Sequence, residues 1–209
     1  MIGDINNILD FLREEAKKHP PTTLEKDEWL CKEGDLCEGV FLITKGSVVV
    51  NKQGHWIRFL VAGDIAGVTA INDGFANVNI KALEPTTIIG FKKDFLHDKM
   101  RENHLLRFSL IQLMCQELEI IDKQLQLITF KDAYKKVALM LLALEEAFDT
   151  QAQVENAIDF DYKKMAQWNS ISIRLFKQTI NYFTEREWLK KQGKRLQIIN
   201  NQQLKAFVG

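Results

Sequence analysis

At 209 residues, 46% apolar and 27% charged, the chain is long enough for one large or two small cores and has the composition of an ordinary globular protein. Lys plus Arg equals Asp plus Glu at 28 each, which excludes a polyanion partner held by bulk charge; a nucleic-acid surface must come from local segregation of charge. No run is long and apolar enough to cross a bilayer, and three cysteines without a secretion signal predict a reducing, cytoplasmic setting.

The first segment, MIGDINNILDFLREEAKKHP, carries Ile5, Ile8, Leu9 and Leu12 at helical spacing among charges, which predicts a short amphipathic helix. From Trp29 to Phe91, glycines punctuate the short runs VFLIT, SVVVN, WIRFLV, NVNIKAL and TTIIGF. These runs are rich in β-branched and aromatic residues, and turns recur between them, as in an all-β barrel or sandwich. From Phe95 to Phe148 there is neither glycine nor proline, and helix formers dominate. Within that stretch Ile111, Met114, Leu118, Ile121, Leu125 and Ile128 alternate spacings of three and four. A lone amphipathic helix usually shows a broader stripe, so this narrow seam predicts a dimer interface between two copies. A second helix, Ala133 to Phe148, follows a break at which Asp132 can act as cap.

The last unit reads as helix, turn, helix, hairpin. Asp161 can cap YKKMAQW, Asn169-Ser170 forms the turn with Asn169 suited to a left-handed conformation, and Ser172 can cap a helix running to about Glu187. In that helix Phe176, Ile180 and Phe183 form an inward stripe, while Arg174, Lys177, Gln178 and Asn181 share the opposite face. Arginine can pair with guanine, and glutamine or asparagine with adenine, each through two hydrogen bonds. No acidic residue lies between Asp161 and Glu185. KKQGKR between apolar runs predicts a β-hairpin wing tipped by Lys190, Lys191, Lys194 and Arg195. A solvated helix face or a solvated basic turn would explain either feature singly; together, at this spacing, they predict double-stranded DNA as partner.

EGDLCEGVFLITKGSVVV followed by FLVAGDIAG resembles the β-roll of the cyclic-AMP receptor protein and fumarate-nitrate regulator (Crp/Fnr) superfamily, and the order of parts resembles it over almost the whole chain. The resemblance implies an α+β fold: an N-terminal cyclic-nucleotide-binding-like β jelly roll with an N-terminal helix (1–102), a long dimerisation helix (103–130) and a C-terminal winged helix-turn-helix (131–209). It implies a homodimeric transcription regulator on a palindromic operator, with RNA polymerase as a further partner and an effector-sensing or vestigial roll. Aligning the family's recognition run adds Ser172 and Ile173 to the DNA-contacting positions Arg174, Lys177, Gln178 and Asn181. Cyclic-nucleotide-binding members hold the ribose with a glutamate after the glycine that matches Gly67 and the phosphate with a later arginine. Here Val68 follows Gly67 and no Lys or Arg occurs from Phe59 to Ile80, so cyclic AMP is not expected as effector and the ligand is unknown. Three cysteines do not match the four of the iron-sulfur members, and His19, His55, His97 and His104 show no ligand spacing, so neither metal nor other cofactor is expected. Cys31 and Cys37 flank the KEGDL turn and read as two inert thiols or as a redox pair. Two other functions compete: a dimeric sensor or interaction module whose DNA-binding end has decayed, and an enzyme on a cupin-like barrel, which the lack of clustered histidines disfavours.

Overall fold

The computed structural model describes residues 6–37, 39–129, 132–149, 161–192 and 195–208, without the side chains of 6, 7, 122–129, 146–149, 192 and 195. The chain divides into two compact units, Met1–Lys52 with Ile57–Asp122, and Gln53–Trp56 with Lys123–Gly209.

The first unit opens on α1 (Asn6–Ala16), which buries Ile8 and Leu12. Next come β1 (Thr22–Leu24), β2 (Trp29–Cys31), β3 (Gly39–Lys45), β4 (Ser47–Lys52), β5 (His55–Val61), β6 (Ile65–Ala66), the short α2 (Ala70–Asp73), β7 (Asn79–Ala82) and β8 (Thr86–Lys92). They pair as two four-stranded sheets, β1-β8-β3-β6 and β2-β7-β4-β5, which is the strand order of a jelly roll.

Two apolar cores explain why the strand sequences run nearly continuously hydrophobic instead of alternating. Ile43, Val48, Leu60, Ala66, Ile80 and Ile88 belong to one cluster with Cys31 and Cys37. Val40, Leu42, Ile65, Ile89 and Phe91 belong to another, shared with Ile8 and Leu12 of α1. Successive residues of β3 and β8 thus enter different cores, as expected of a sheet covered on both faces. Two glycines make the pairing possible. A Cβ on Gly39 would stand 1.9 Å from the Phe91 carbonyl oxygen across the β3–β8 pair. Gly46, between β3 and β4, has φ +83. The buried Thr86 closes this turn by accepting from the Ser47 amide at 3.2 Å.

After the roll, α3 (Lys93–Glu102) and α4 (His104–Thr129) are separate helices. The composition contains no glycine or proline to announce the break. Asn103 makes it: its backbone is extended, and its Oδ1 accepts from the Leu105 and Leu106 amides, capping α4. Leu96 of α3 and Leu106 and Leu110 of α4 complete the second core, which leaves an apolar space of about 10 Å³.

The second unit contains α5 (Ala133–Asp149), α6 (Tyr162–Trp168), α7 (Ile173–Glu185), β9 (Leu189–Gln192), β10 (Arg195–Ile198) and α8 (Asn201–Val208). Asp132 caps α5 by accepting from the Tyr134 amide at 2.8 Å. This is a winged helix-turn-helix with one element the sequence reading lacked, α8. Asn200 caps it by accepting from the Gln203 amide; its Leu204 is buried, and Lys135 of α5 donates to the Val208 carbonyl at 3.0 Å.

Candidate nucleic-acid interface

The orientation of α7 follows from how α6 ends and α7 begins. Asp161 caps α6, accepting from the Lys163 and Lys164 amides. The helix stops in a two-bond C-terminal motif: Ile171 N donates to Ala166 O at 3.1 Å and Ser170 N to Gln167 O at 2.9 Å. That motif needs one left-handed residue, and here the sequence expectation is corrected. Ser170 takes it, with φ 53, while Asn169 stays near the helical region at φ −89. The reason is that Asn169 is buried and its amide is committed, donating to the Met165 carbonyl and the Met140 sulfur at 2.8 Å each. Ser172 then caps α7, its Oγ accepting from the Leu175 amide at 3.1 Å.

α7 presents two faces. Phe176, Thr179, Ile180 and Phe183 are buried, and Thr179 satisfies its hydroxyl by donating to the Leu175 carbonyl at 2.9 Å. Phe183 packs within a ring cluster with Tyr134, Tyr182, Trp188 and Phe207. Such burial fixes the helix about its axis, so the opposite side chains face solvent as a set. Ser172, Arg174, Lys177, Gln178 and Asn181 are all exposed, and Ile173 is 42% exposed.

α7 ends at Glu185, two residues earlier than expected, in a second motif of the same kind. Trp188 N donates to Phe183 O at 3.0 Å, Glu187 N to Thr184 O at 3.0 Å, and Glu187 holds φ 59. The Trp188 and Phe183 rings stack at 5.7 Å, supplying the apolar contact that accompanies this ending. The chain turns directly into the wing, where β9 and β10 pair in register from Leu189↔Ile198 to Gln192↔Arg195. Lys190 and Lys191 are exposed on β9, and the Lys191 ammonium stands 5.4 Å from the centroid of the Tyr162 ring. Lys194 and the side chain of Arg195 lie outside the described residues.

Along α4, Ile111, Met114, Leu118 and Ile121 are all exposed, from Met114 at 36% to Leu118 at 64%. Leu105 and Phe108 extend the same exposed apolar character toward the start of the helix, an extension the heptad count did not include. The side chains of Leu125 and Ile128 lie outside the described residues.

In the roll, the segment from Gly67 to Ile80 holds no cation, and its one carboxylate, Asp73, accepts from the Phe75 amide at 3.0 Å. Val68 is buried in the core shared with α1, and Thr69 donates to Asn77 at 2.7 Å. The nearest cations in sequence have other partners. Arg58 of β5 is hydrogen-bonded to Glu117 of α4. Lys81 pairs with Asp27 at 3.4 Å and stands 4.9 Å from the centroid of the Trp29 ring. Asp64 is half-buried near Arg58; desolvation raises its carboxyl above the ordinary range, against the pull of the Val61 amide that donates to it at 2.9 Å. The neighbouring Cys37 and burial push the Cys31 thiol up, while Cys37, whose Sγ donates to the Gly39 carbonyl at 3.7 Å, is brought down by its interaction with Cys31. Both are buried and free, whereas Cys115 on α4 is exposed.

A jelly roll followed by a long helix and a winged helix-turn-helix is an architecture of transcription regulators. Residues 21–103 match the cyclic nucleotide-binding domain family. The transcriptional activator protein Anr of Pseudomonas protegens is 21% identical, covering 96% of this chain and 84% of its own. The fumarate and nitrate reduction regulatory protein of Vibrio cholerae is 23% identical, covering 96% of this chain and 82% of its own. Among solved structures, FixK2 from Bradyrhizobium japonicum has the same fold, with a TM-score of 0.76 at 16% identity, covering 91% of this chain and 98% of that one. A CooA variant from Carboxydothermus hydrogenoformans gives 0.72 at 20%, covering 97% and 95%. Over almost its whole length the chain is similar to these activator and regulatory proteins.

Proposed function

We propose that this chain regulates transcription as a homodimer on a palindromic operator in double-stranded DNA. α7 enters the major groove, where Arg174, Gln178 and Asn181 face base edges and Ile173 lies alongside. Ser172, Lys177 and the wing residues Lys190, Lys191, Lys194 and Arg195 hold phosphates. The α4 stripe from Ile111 to Ile128 forms the seam with the second copy. RNA polymerase is the further partner, the cytoplasm the setting, and no catalysis is assigned. One observation carries the reading: α7 is held by a fully buried back, and every polar side chain on its front is exposed in a stretch with no acid from Tyr162 to Thr184.

The roll senses an effector other than cyclic AMP bound in the superfamily's manner, or none. A cyclic phosphate leaving water needs a cation or several aimed donors. The stretch from Phe59 to Ile80 supplies no cation, and Arg58 and Lys81 are paired elsewhere. Titration calorimetry checks this; stoichiometric micromolar binding of cyclic AMP would overturn it.

The DNA reading is tested by selecting duplexes from a random pool with the full chain, then measuring affinities at several salt concentrations. An enriched palindrome with half-sites about one helical turn apart, ~34 Å, is expected. Arg174→Ala should cost roughly 1–3 kcal/mol and relax one position. Lys191→Ala should weaken all sequences alike and lower the salt slope by about one unit per lost contact. No enriched motif would refute the proposal in favour of an interaction module with a decayed DNA-binding end.

A further inference from the structure

Ile173 is the first residue of α7, directly after the capping Ser172, and it is 42% exposed. The helix already has a complete apolar stripe in Phe176, Ile180 and Phe183, each almost wholly buried. Ile173 sits where that stripe meets the polar front, one turn before the exposed Lys177 and adjacent to the exposed Arg174. An isoleucine left outside the core at this position offers a partner no hydrogen bond and no charge, only an apolar contact.

We infer that Ile173 reads the C5-methyl group of a thymine in each half-site, and so helps determine which operator this protein selects. The inference rests on the DNA reading proposed above and deepens it. Two lines of chemistry lead there. The first turn of a recognition helix is the part that meets base edges in the major groove. On those edges the thymine methyl is the one alkyl group; apart from the cytosine C5–H, every other feature is a donor or an acceptor, which isoleucine cannot satisfy. Placed over guanine, adenine or cytosine, Ile173 would cover a polar edge without pairing it, so the same side chain also selects against those bases. Arg174, its neighbour, supplies the polar contact to the adjoining pair, and an isoleucine–arginine couple at the head of the helix thus specifies a thymine next to a guanine-type contact.

The test uses the full chain and the operator recovered by selection. Each thymine of the half-site is replaced, one position at a time and symmetrically in both halves, by deoxyuridine, which keeps every hydrogen-bonding group and removes only the methyl. Ile173→Ala is measured on the same series, with circular dichroism to verify its fold. One thymine position is expected at which deoxyuridine weakens wild-type binding about four-fold per half-site, or about fifteen-fold for the pair, the effect of withdrawing one methyl from an apolar contact. In Ile173→Ala that penalty should disappear while penalties from changing the Arg174 position persist. A wild type indifferent to deoxyuridine at every position, or a penalty unchanged in Ile173→Ala, would overturn the assignment of Ile173 while leaving the DNA reading intact. A selection yielding no motif would overturn both.

Discussion

Leu118 is the residue on which the proposed homodimer turns. It is 64% exposed on α4, the most exposed of the four described seam residues. Full burial of a leucine side chain contributes roughly 1.5–3 kcal/mol, so covering the exposed share contributes roughly 1–2 kcal/mol per protomer. A two-fold interface counts it twice, so Leu118→Ala should weaken dimerisation by roughly 2–4 kcal/mol, about 30- to 1,000-fold in Kd. Leu118→Glu should do more, because two carboxylates would have to leave water against each other, at several kcal/mol per ion. Since the side chain makes little contact within its own chain, the variant should keep its far-ultraviolet circular dichroism. Sedimentation equilibrium over a wide concentration range is the assay. Wild type is expected as a dimer and Leu118→Glu as a folded monomer; Ile121→Glu, at 42% exposure, should behave likewise. A Leu118→Glu protein that dimerises as tightly as wild type would refute the seam and the use of exposure to find it.

Cys115 lies one turn after Ile111 and beside Met114 and Leu118, and it is exposed, whereas Cys31 and Cys37 are buried. A thiol-reagent titration of the folded protein should therefore show one fast cysteine of three, faster still in the monomeric Leu118→Glu variant; equal rates in both would place Cys115 away from the interface. Glu187→Gly should stabilise the second unit by on the order of 0.5–1 kcal/mol, because glycine adopts φ 59 without strain and the change also removes an anion from a helix C-terminus. A urea midpoint that fell would show that the side chain contributes more than the strain costs. Asp64→Asn should stabilise the first unit at pH 7. Its carboxyl is raised by burial, so Asp64 favours folding below the unfolded pKa of ~4 and loses that contribution as pH climbs through the raised folded value. The advantage of asparagine should accordingly shrink toward acid; an advantage that grew toward acid would reverse the assigned cause.

The roll illustrates why an ordinary family match leaves its ligand open. The match covers residues 21–103, a segment built on turns and close contacts such as Gly39 packed against the Phe91 carbonyl and Gly46 at φ +83. Those positions hold the sheets together whatever lies within reach of them. Ligand chemistry sits in a handful of side chains that the fold tolerates in many forms, and here Val68 goes to the core shared with α1. The same independence explains how Arg58 comes to be tied to Glu117, a link between strand β5 and helix α4 inside the first unit.

What was legible in the sequence was what depends on period and on local caps. The five longer strands, the N-terminal helix, the caps Asp132, Asp161 and Ser172, and the buried stripe Phe176, Ile180 and Phe183 all follow from spacing and from short-range hydrogen bonding. What was not legible depended on tertiary partners. Asn169 looks like the left-handed residue of the turn because asparagine tolerates that conformation at little cost, but Met140, twenty-nine residues earlier, helps hold its amide in a buried site, and the strain falls on Ser170. The break between α3 and α4 rests on Asn103, a cap with no glycine or proline beside it, inside a stretch whose composition reads as helix throughout. α8 is only eight residues long and is held by Leu204 and by a lysine on α5, so its own pattern is too short to declare it. The recognition face lies between these cases. Which residues share it is a matter of helical period, but that they face solvent is a matter of Phe183 packing in an aromatic cluster drawn from α5, α7, α8 and Trp188 at the start of the wing. In the proposed DNA complex, the contribution of Arg174 and Gln178 to operator choice therefore depends on that cluster as much as on their own chemistry. A substitution such as Phe207→Ala, which touches no front-face residue, should loosen α7 and blunt sequence preference at every position of the half-site instead of one.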